Sequence, residues 1–384
     1  MTPPARLAEL RRAELAAAPA LYFNTASQGP TPARARGYVE RALVEEMSPS
    51  SFPGVRYREV VEELRTLFAR LVGAHPEHVA ISTSTSEIIS ICASSLEIPS
   101  GGRVACIDDD FPSPILPWLA RREARGTPVD LLVPPEGWPP TAAWLDEAMS
   151  PHTAVLSMSW VHFATGARID LAGIGEVCRR RGIFFILDAT QGVGAEPIDF
   201  EASAAQVLAC SGYKWTLGPY GIGYGCFTPE AIERLRAHAP HWLMRSAREG
   251  YSFLTDYHAP ALGGARRFDR GEPATPLVAA AAKAGIEVTL EVGLAAIVAH
   301  REGLVRAFLE GLDADRYALV TPAAPEARAA ILSIRPLREA VDAVDARLRG
   351  AGVYHSLREG VLRFAFHWFN TAEEVARLGA ALHA

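Results

Sequence analysis

Cysteine is scarce in this chain: Cys92, Cys106, Cys178, Cys210 and Cys226 are the five among 384 residues, and no two stand in CxxC spacing. Few and odd in number, they exclude a disulfide framework and a cysteine zinc site, so no metal centre is expected and the setting is expected to be reducing and cytoplasmic. A basic excess is also missing. The formal charge is -6, which excludes the basic stripe of a nucleic-acid binder, and no Lys/Arg run offers a patch for a membrane surface. Long apolar runs are absent too. The longest with strand character covers 183–187, far short of the ~18 apolar residues of a membrane span. Residues 1–19 mix Arg6, Arg11 and Arg12 with Glu9 and Glu14, so no secretory leader is expected there.

What the chain does have is length, about half hydrophobic residues, and a rhythm. Its size exceeds the usual single core of ~100–200 residues, so two domains are expected. Buried strands are expected at 79–82, 103–107, 128–133, 154–158, 183–188 and 207–211, with a further strand at 221–227. Amphipathic stretches at 60–71, 86–95, 114–125, 141–149 and 171–180 lie between several of them. Strand, helix, strand in this order predicts an α/β fold with a mostly parallel sheet wrapped by helices. Residues 246–272, rich in Arg, Gly and aromatics, read as a loop between domains. A long helix over about 276–300 and a helix–strand–helix pattern follow. The expected division is a large α/β domain at 20–250, and a smaller domain from 251–384 with the N-terminal helix of 1–19.

One pair of residues carries the strongest chemical signal. Asp188 ends one apolar strand, and Lys214 stands 26 residues later, just past the end of another. In a parallel sheet the carboxyl ends of strands converge on the binding crevice. Pyridoxal phosphate (PLP) chemistry needs such a pair: an amine to carry the cofactor and move the α-proton, and a carboxylate to keep the pyridine nitrogen protonated. On these two residues alone, a helix-capping acid and a solvated loop lysine are an equal alternative. The hydroxyl-rich turn at 81–87 adds a candidate phosphate cradle, with Ser84 and Thr85 at the start of a helix. By itself that turn is more often an ordinary Ser/Thr N-cap.

Six segments in order then resemble the class V aminotransferase family of fold-type-I PLP enzymes, the group of cysteine desulfurases, kynureninases and isopenicillin-N-epimerase-like proteins. Leu21-Tyr22-Phe23-Asn24-Thr25-Ala26-Ser27 resembles the opening substrate-side segment, with Ala26 as a substrate-side candidate. The turn at 84–87 resembles the phosphate turn, and Asp110-Phe111-Pro112-Ser113 the segment bearing the ring-stacking residue. Thr165-Gly166, Asp188-Ala189-Thr190-Gln191 and Ser211-Gly212-Tyr213-Lys214-Trp215 are similar to the cofactor core. Arg363 opens a C-terminal segment like the one that supplies the substrate-carboxylate arginine. The resemblance implies that Lys214 carries PLP and shuttles the α-proton, that Asp188 pairs with the ring nitrogen, and that Gln191 contacts the ring's phenolic oxygen. It implies Ser84, Thr85, Ser211 and Tyr213 around the phosphate, Phe111 over the ring, and Arg363 on the α-carboxylate. A small amino-acid substrate and a homodimer are implied as well, with Arg56 and the loop at 266–275 as candidates to reach the partner's site.

Departures from the family pattern narrow the reaction. Phe111 and Pro112 replace the desulfurase histidine, Tyr213 replaces a common histidine, and His162 replaces an asparagine near the ring, where it is a substrate-side candidate. Glu272 stands where relatives carry a threonine that reaches the partner's phosphate, and Thr275 is its possible substitute. No cysteine follows Cys226, so the C-terminal loop offers His355, Ser356 and Arg358 but no persulfide-forming thiol. The expected activity is C–S cleavage of a cysteine S-conjugate by β-elimination, in sulfur or natural-product (antibiotic) metabolism. Aminotransfer, epimerisation and decarboxylation-linked oxidative deamination are the alternatives within PLP chemistry, and a non-catalytic PLP-fold scaffold is the alternative outside it.

Overall fold

The computed structural model describes residues 3–15, 21–48, 50, 54–135, 137–236, 255, 257–258, 260, 262–270 and 276–384. Side chains at 3–4 and 54–58 lie outside that description. The first two-thirds of the chain builds strands β1 (Val79–Ser82), β2 (Arg103–Ile107), β3 (Val129–Leu132), β4 (Thr153–Ser159), β5 (Phe184–Asp188), β6 (Val207–Ser211) and β7 (Gly223–Phe227). With them come helices α1 (Pro3–Glu14), α2 (Arg34–Glu46), α3 (Gly54–Val72), α4 (Thr85–Ser95), α5 (Pro112–Arg125), α6 (Ala142–Ala148), α7 (Leu171–Arg181) and α8 (Pro229–Arg234). The remainder gives α9 (Pro276–Val292), α10 (Leu294–Glu310), β8 (Tyr317–Leu319), β9 (Ile331–Pro336), α11 (Val341–Gly350), β10 (Ser356–Arg358), β11 (Val361–Ala365) and α12 (Ala372–His383).

Strands β1, β5, β6 and β7 are buried at every residue, as strands covered on both faces must be. They form a seven-stranded sheet in the order β1-β7-β6-β5-β4-β2-β3. Pairing is parallel from β3 through β6, and β7 runs against both β6 and β1. Successive side chains point to opposite faces, and each face has its own core. Ile81, Ile107 and Leu187 pack with Leu64 and Phe68 of α3, Ile174 of α7 and Ile286 of α9. Ala80, Cys106 and Ile186 pack with Ile88 of α4, Trp118 of α5 and Ala231 of α8. The α/β expectation with a mostly parallel, helix-wrapped sheet is met.

A second, antiparallel sheet in the order β10-β11-β9-β8 packs against α10, α11 and α12 through Phe308, Leu348, Phe364 and Leu378. Leu21 and Phe23 join that same core. Residues Leu10 and Leu15 pack with Leu217, Val288, Ile297, Trp368 and Phe369, so α1 ties the large sheet's lysine loop to the C-terminal elements. The single helix expected over 276–300 is two helices. Gly293, at φ +84° and ψ 132°, leaves the helical region between α9 and α10.

Candidate active site

The carboxyl ends of β1, β2, β4, β5 and β6 meet at one edge of the large sheet, where the chain places its hydroxyl-rich turn. Ser82 and Ser211 both lie opposite Gly223 in register. A Cβ on Gly223 would stand 2.6 Å from Ser84 N, so only glycine lets the start of β7 lie against that turn. Ser84 is extended and caps α4, its Oγ accepting the Glu87 N–H at 3.2 Å. Glu87 folds back and accepts from Ser82 Oγ at 2.6 Å and from Thr83 N at 3.0 Å, which pins the turn. Thr85 Oγ1 lies 2.6 Å from Thr190 Oγ1 and 2.9 Å from Ser211 Oγ. Hydroxyl donors thus converge at the positive end of a helix, a donor set suited to a phosphate.

Asp188 and Lys214 face the same cavity of about 130 Å³ as this turn. Asp188 accepts the Thr190 N–H at 2.9 Å, and burial holds its carboxyl above the ordinary range despite that bond. Burial pushes the Lys214 ammonium down to about 8; Asp188 opposes the shift, and the charge of Arg363 adds to it. No hydrogen bond to Lys214 Nζ is found among the described residues. The Phe111 ring centroid lies 5.3 Å from that nitrogen and the Tyr213 centroid 5.6 Å from it, while Tyr213 also stacks on Tyr220 at 4.1 Å. Gln191 is oriented by two bonds: its Oε1 accepts the Trp215 indole N–H at 2.8 Å, and its Nε2 donates to Ala26 O at 3.1 Å.

Arg363 is buried at 3% exposure. Its Nη1 donates to Phe163 O at 2.6 Å and its Nη2 to Ser27 Oγ at 2.7 Å. No carboxylate pairs with it among the described residues, and burial lowers its pKa to about 9 with help from Arg358. A buried cation without a counter-ion is costly unless a ligand supplies the charge. Phe163, whose carbonyl it holds, lines the cavity with Lys214.

Ser84, Thr85, Phe111, Asp188, Gln191, Ser211, Tyr213 and Lys214 are therefore brought together on one cavity. Three substrate-side candidates are not on its wall, and Arg363 is one of them, meeting it through the Phe163 carbonyl. Ala26 contributes a carbonyl to Gln191 from behind. Both ring nitrogens of His162 are engaged, Nδ1 with Thr165 and Nε2 with Asp109 O at 2.8 Å, and the ring stacks on Trp138. Burial lowers its pKa, and the ring sits packed behind the site. The Arg56 side chain, Glu272, Thr275 and residues 246–254 lie outside the described residues.

Six wall residues escaped the sequence reading: Thr190, Ser86, Ser113, Ser159, Val161 and Phe163. Their signal was available, because each follows or ends a strand whose carboxyl end was already aimed at the site. Asp110 was missed too. Its carboxylate accepts from Phe111 N at 2.6 Å and Ser159 N at 2.8 Å, and burial lifts it to about 7. A further signal lay in composition: the chain contains two lysines, Lys214 and Lys283. Lys283 pairs with Glu63 at the surface.

A buried, unbonded lysine, a carboxylate across the cavity, a phenyl face and a phosphate-suited turn fit pyridoxal phosphate, and fold and site together define a PLP-dependent enzyme. The chain belongs to the aminotransferase class-V family, whose model matches residues 33–378. It is 28% identical to isopenicillin N epimerase of Streptomyces clavuligerus over 382 residues, 94% of each chain. It is also 28% identical to an uncharacterized aminotransferase of Bacillus subtilis, YcbU, over 88% of each. The fold matches the apo cysteine desulfurase of Thermococcus onnurineus NA1 with a TM-score of 0.84 at 20% identity, covering 98% of this chain and 97% of that one. It matches the cystine C-S lyase C-DES with a TM-score of 0.83 at 21% identity, covering 96% of this chain and 98% of that one.

Proposed function

We propose that this enzyme cleaves the C–S bond of a cysteine S-conjugate by α-proton removal and β-elimination. The observation that carries the reading is the absence of an available thiol. All five cysteines are buried, and burial raises each thiol's pKa. A reaction that passes sulfur to a protein cysteine has no acceptor here, whereas elimination needs a base and no protein nucleophile. The cystine C-S lyase among the matching folds is consistent with such chemistry.

Bound PLP would supply an electron sink for the α-carbon. Lys214 would hold it, with Asp188 at the ring nitrogen, Gln191 at the phenolic oxygen, and the Ser84–Thr85 turn with Ser211 and Tyr213 at the phosphate. Phe111 would cover the ring and, being a phenyl group, would deliver no proton. Arg363 grips the α-carboxylate in a two-point contact, which fixes the α-carbon near Lys214. The free amine of Lys214 accepts the α-proton. The Cα–H and C–S bonds break, a Cα=Cβ bond forms, and the sulfur leaves as a thiolate that takes its proton from the Lys214 ammonium. Hydrolysis of the eliminated product then gives pyruvate and ammonia.

A panel of S-alkyl cysteines with the PLP-loaded protein tests this reading. Pyruvate, ammonia and free thiol in equal amounts are expected. An aldehyde with loss of carbon dioxide, or conversion of the cofactor to its amine form, would replace the lyase with a decarboxylative deaminase or an aminotransferase. A homodimer belongs to the same proposal, and light scattering of the loaded protein reads it directly.

A further inference from the structure

The β10–β11 hairpin carries a second arginine on the face that holds Arg363. Ser356 lies opposite Arg363 in register, and their side chains meet, with Nη2 3.3 Å from Ser356 Oγ. Side chains two residues apart on a strand share a face. Arg358 therefore leaves β10 on the side of Arg363, Ser356 and Ser27, about 7 Å farther along the strand. Its position is set by a two-residue turn, Glu359–Gly360, with φ values of +44° and +71°. Two successive positive φ values mark the tight hairpin turn that matches strand twist.

Arg358 is set apart from other exposed arginines by its place on the face of Arg363; some of those pair with an acid, and others, such as Arg12 and Arg335, have no acidic partner among the described residues. Arg36, Arg180, Arg234 and Arg349 each pair with an acid. Arg358 is exposed, donates to Leu357 O at 3.0 Å, and has no acidic partner among the described residues. Its charge reaches into the site, where it lowers the pKa of both Arg363 and Lys214. Two cations on one face, neither paired with an acid among the described residues, complement a ligand with two anionic groups.

We propose that Arg358 is a specificity residue, and that the substrate is an α-amino acid whose side chain ends in a second carboxylate or similar anion. Arg363 takes the α-carboxylate, and Arg358 takes the distal group at the mouth of the cavity. This inference rests on the reading of Arg363 as the α-carboxylate site but not on which bond is later broken.

The test uses acid–amide pairs of equal shape: S-carboxymethylcysteine against S-carbamoylmethylcysteine, and 2-aminoadipate against its side-chain amide. Binding to the PLP-loaded protein is read from the shift of the cofactor's visible absorption, which needs no turnover. The wild type is expected to bind each acid about tenfold more tightly than its amide, the scale of a charge-assisted contact. Arg358→Gln is expected to bring the ratio near one, and Arg358→Lys to restore part of it. Because each variant is read as a ratio within one preparation, partial loss of folded protein does not imitate the result. Equal binding of acid and amide by the wild type, a ratio unchanged in Arg358→Gln, or no spectral response to any of the four compounds overturns the inference. Acid preference without thiol release overturns the lyase reading and leaves this one standing.

Discussion

Lys214 has almost no competition for its role, because Lys283 is the only other lysine in the chain and lies on the surface. Borohydride reduction of the PLP-loaded protein, followed by peptide mapping, is expected to place the cofactor's mass on the Lys214 peptide and leave Lys283 unmodified. Lys214→Ala is expected to lower kcat by about 10³-fold or more, since it removes both the attachment point and the base. Burial also sets a pH limb. The amine is free above about 8 and an ammonium below it, so the rate of PLP attachment to cofactor-free protein should rise with pH and level off above about 8. A flat profile between pH 6 and 9 would contradict that. At Arg363, Arg363→Gln is expected to weaken amino-acid binding by about 10²-fold or more, because a desolvated charge contact is lost; a KM unchanged in steady-state kinetics would remove Arg363 from the carboxylate site. Most of this site was legible because PLP chemistry demands rare types at strand ends: an acid, a lysine and a hydroxyl turn. Ser159 and Ser113 were passed over although their strand ends were aimed at the site, since a serine bears no mark of which way its side chain faces. His162 read as a site residue because an imidazole near a motif invites chemistry, yet Trp138 and Thr165 enclose it.

The hydroxyl-rich turn proposed to hold the phosphate depends on a strand that contributes no side chain to it. Gly223 begins β7, and a methyl group there would meet the Ser84 backbone at 2.6 Å. Backbone yields poorly, so Gly223→Ala is expected to displace the first turn of α4. The expected cost is about 1–3 kcal/mol of stability, with a loss of PLP affinity visible in equilibrium dialysis. If PLP affinity were unchanged while stability fell, the turn would not be the phosphate site. The buried strands of the large sheet were readable as continuous apolar runs, and β1, β2 and β6 lie at the residues expected. The direction of β7 was not, since an apolar run has no polarity and only Gly221, at φ +84°, marks the reversal. Strands β8 and β10 have three residues each, too few for a periodic pattern to show. The break at Gly293 was hidden because α9 and α10 continue the same apolar helical composition on both sides.

At the scale of the whole molecule, the two sheets are joined near the Lys214 loop by a buried ionic chain. Glu196, in the loop after β5, pairs with Arg301 of α10 and, at 2.9 Å, with Arg168. Arg301 also donates to Ala195 O at 3.1 Å and pairs with Glu302 at 3.0 Å, and Glu302 in turn holds Arg328 at 2.8 Å. Both members of the Glu196–Arg301 pair are almost wholly removed from water, so salt screens them little. Exposed pairs such as Arg36–Glu40 are screened by solvent and contribute little by comparison. Replacing one buried partner leaves the other charge desolvated, and Glu196→Gln is expected to destabilise the PLP-loaded protein by about 3 kcal/mol in urea unfolding. The double variant Glu196→Leu with Arg301→Met removes both charges and should recover much of that loss, because a buried pair is worth little more than a well-packed apolar substitute. The same Glu196 loop leads to Gly194, where a side chain would collide with Trp215 O, the carbonyl next to Lys214. If the chain of charges sets the seat of the lysine as well as stability, Glu196→Gln will also raise KM for the amino acid while the double variant restores stability without restoring KM. Recovery of both together would mean that the network holds the two sheets in place and leaves the lysine's position to its own strand.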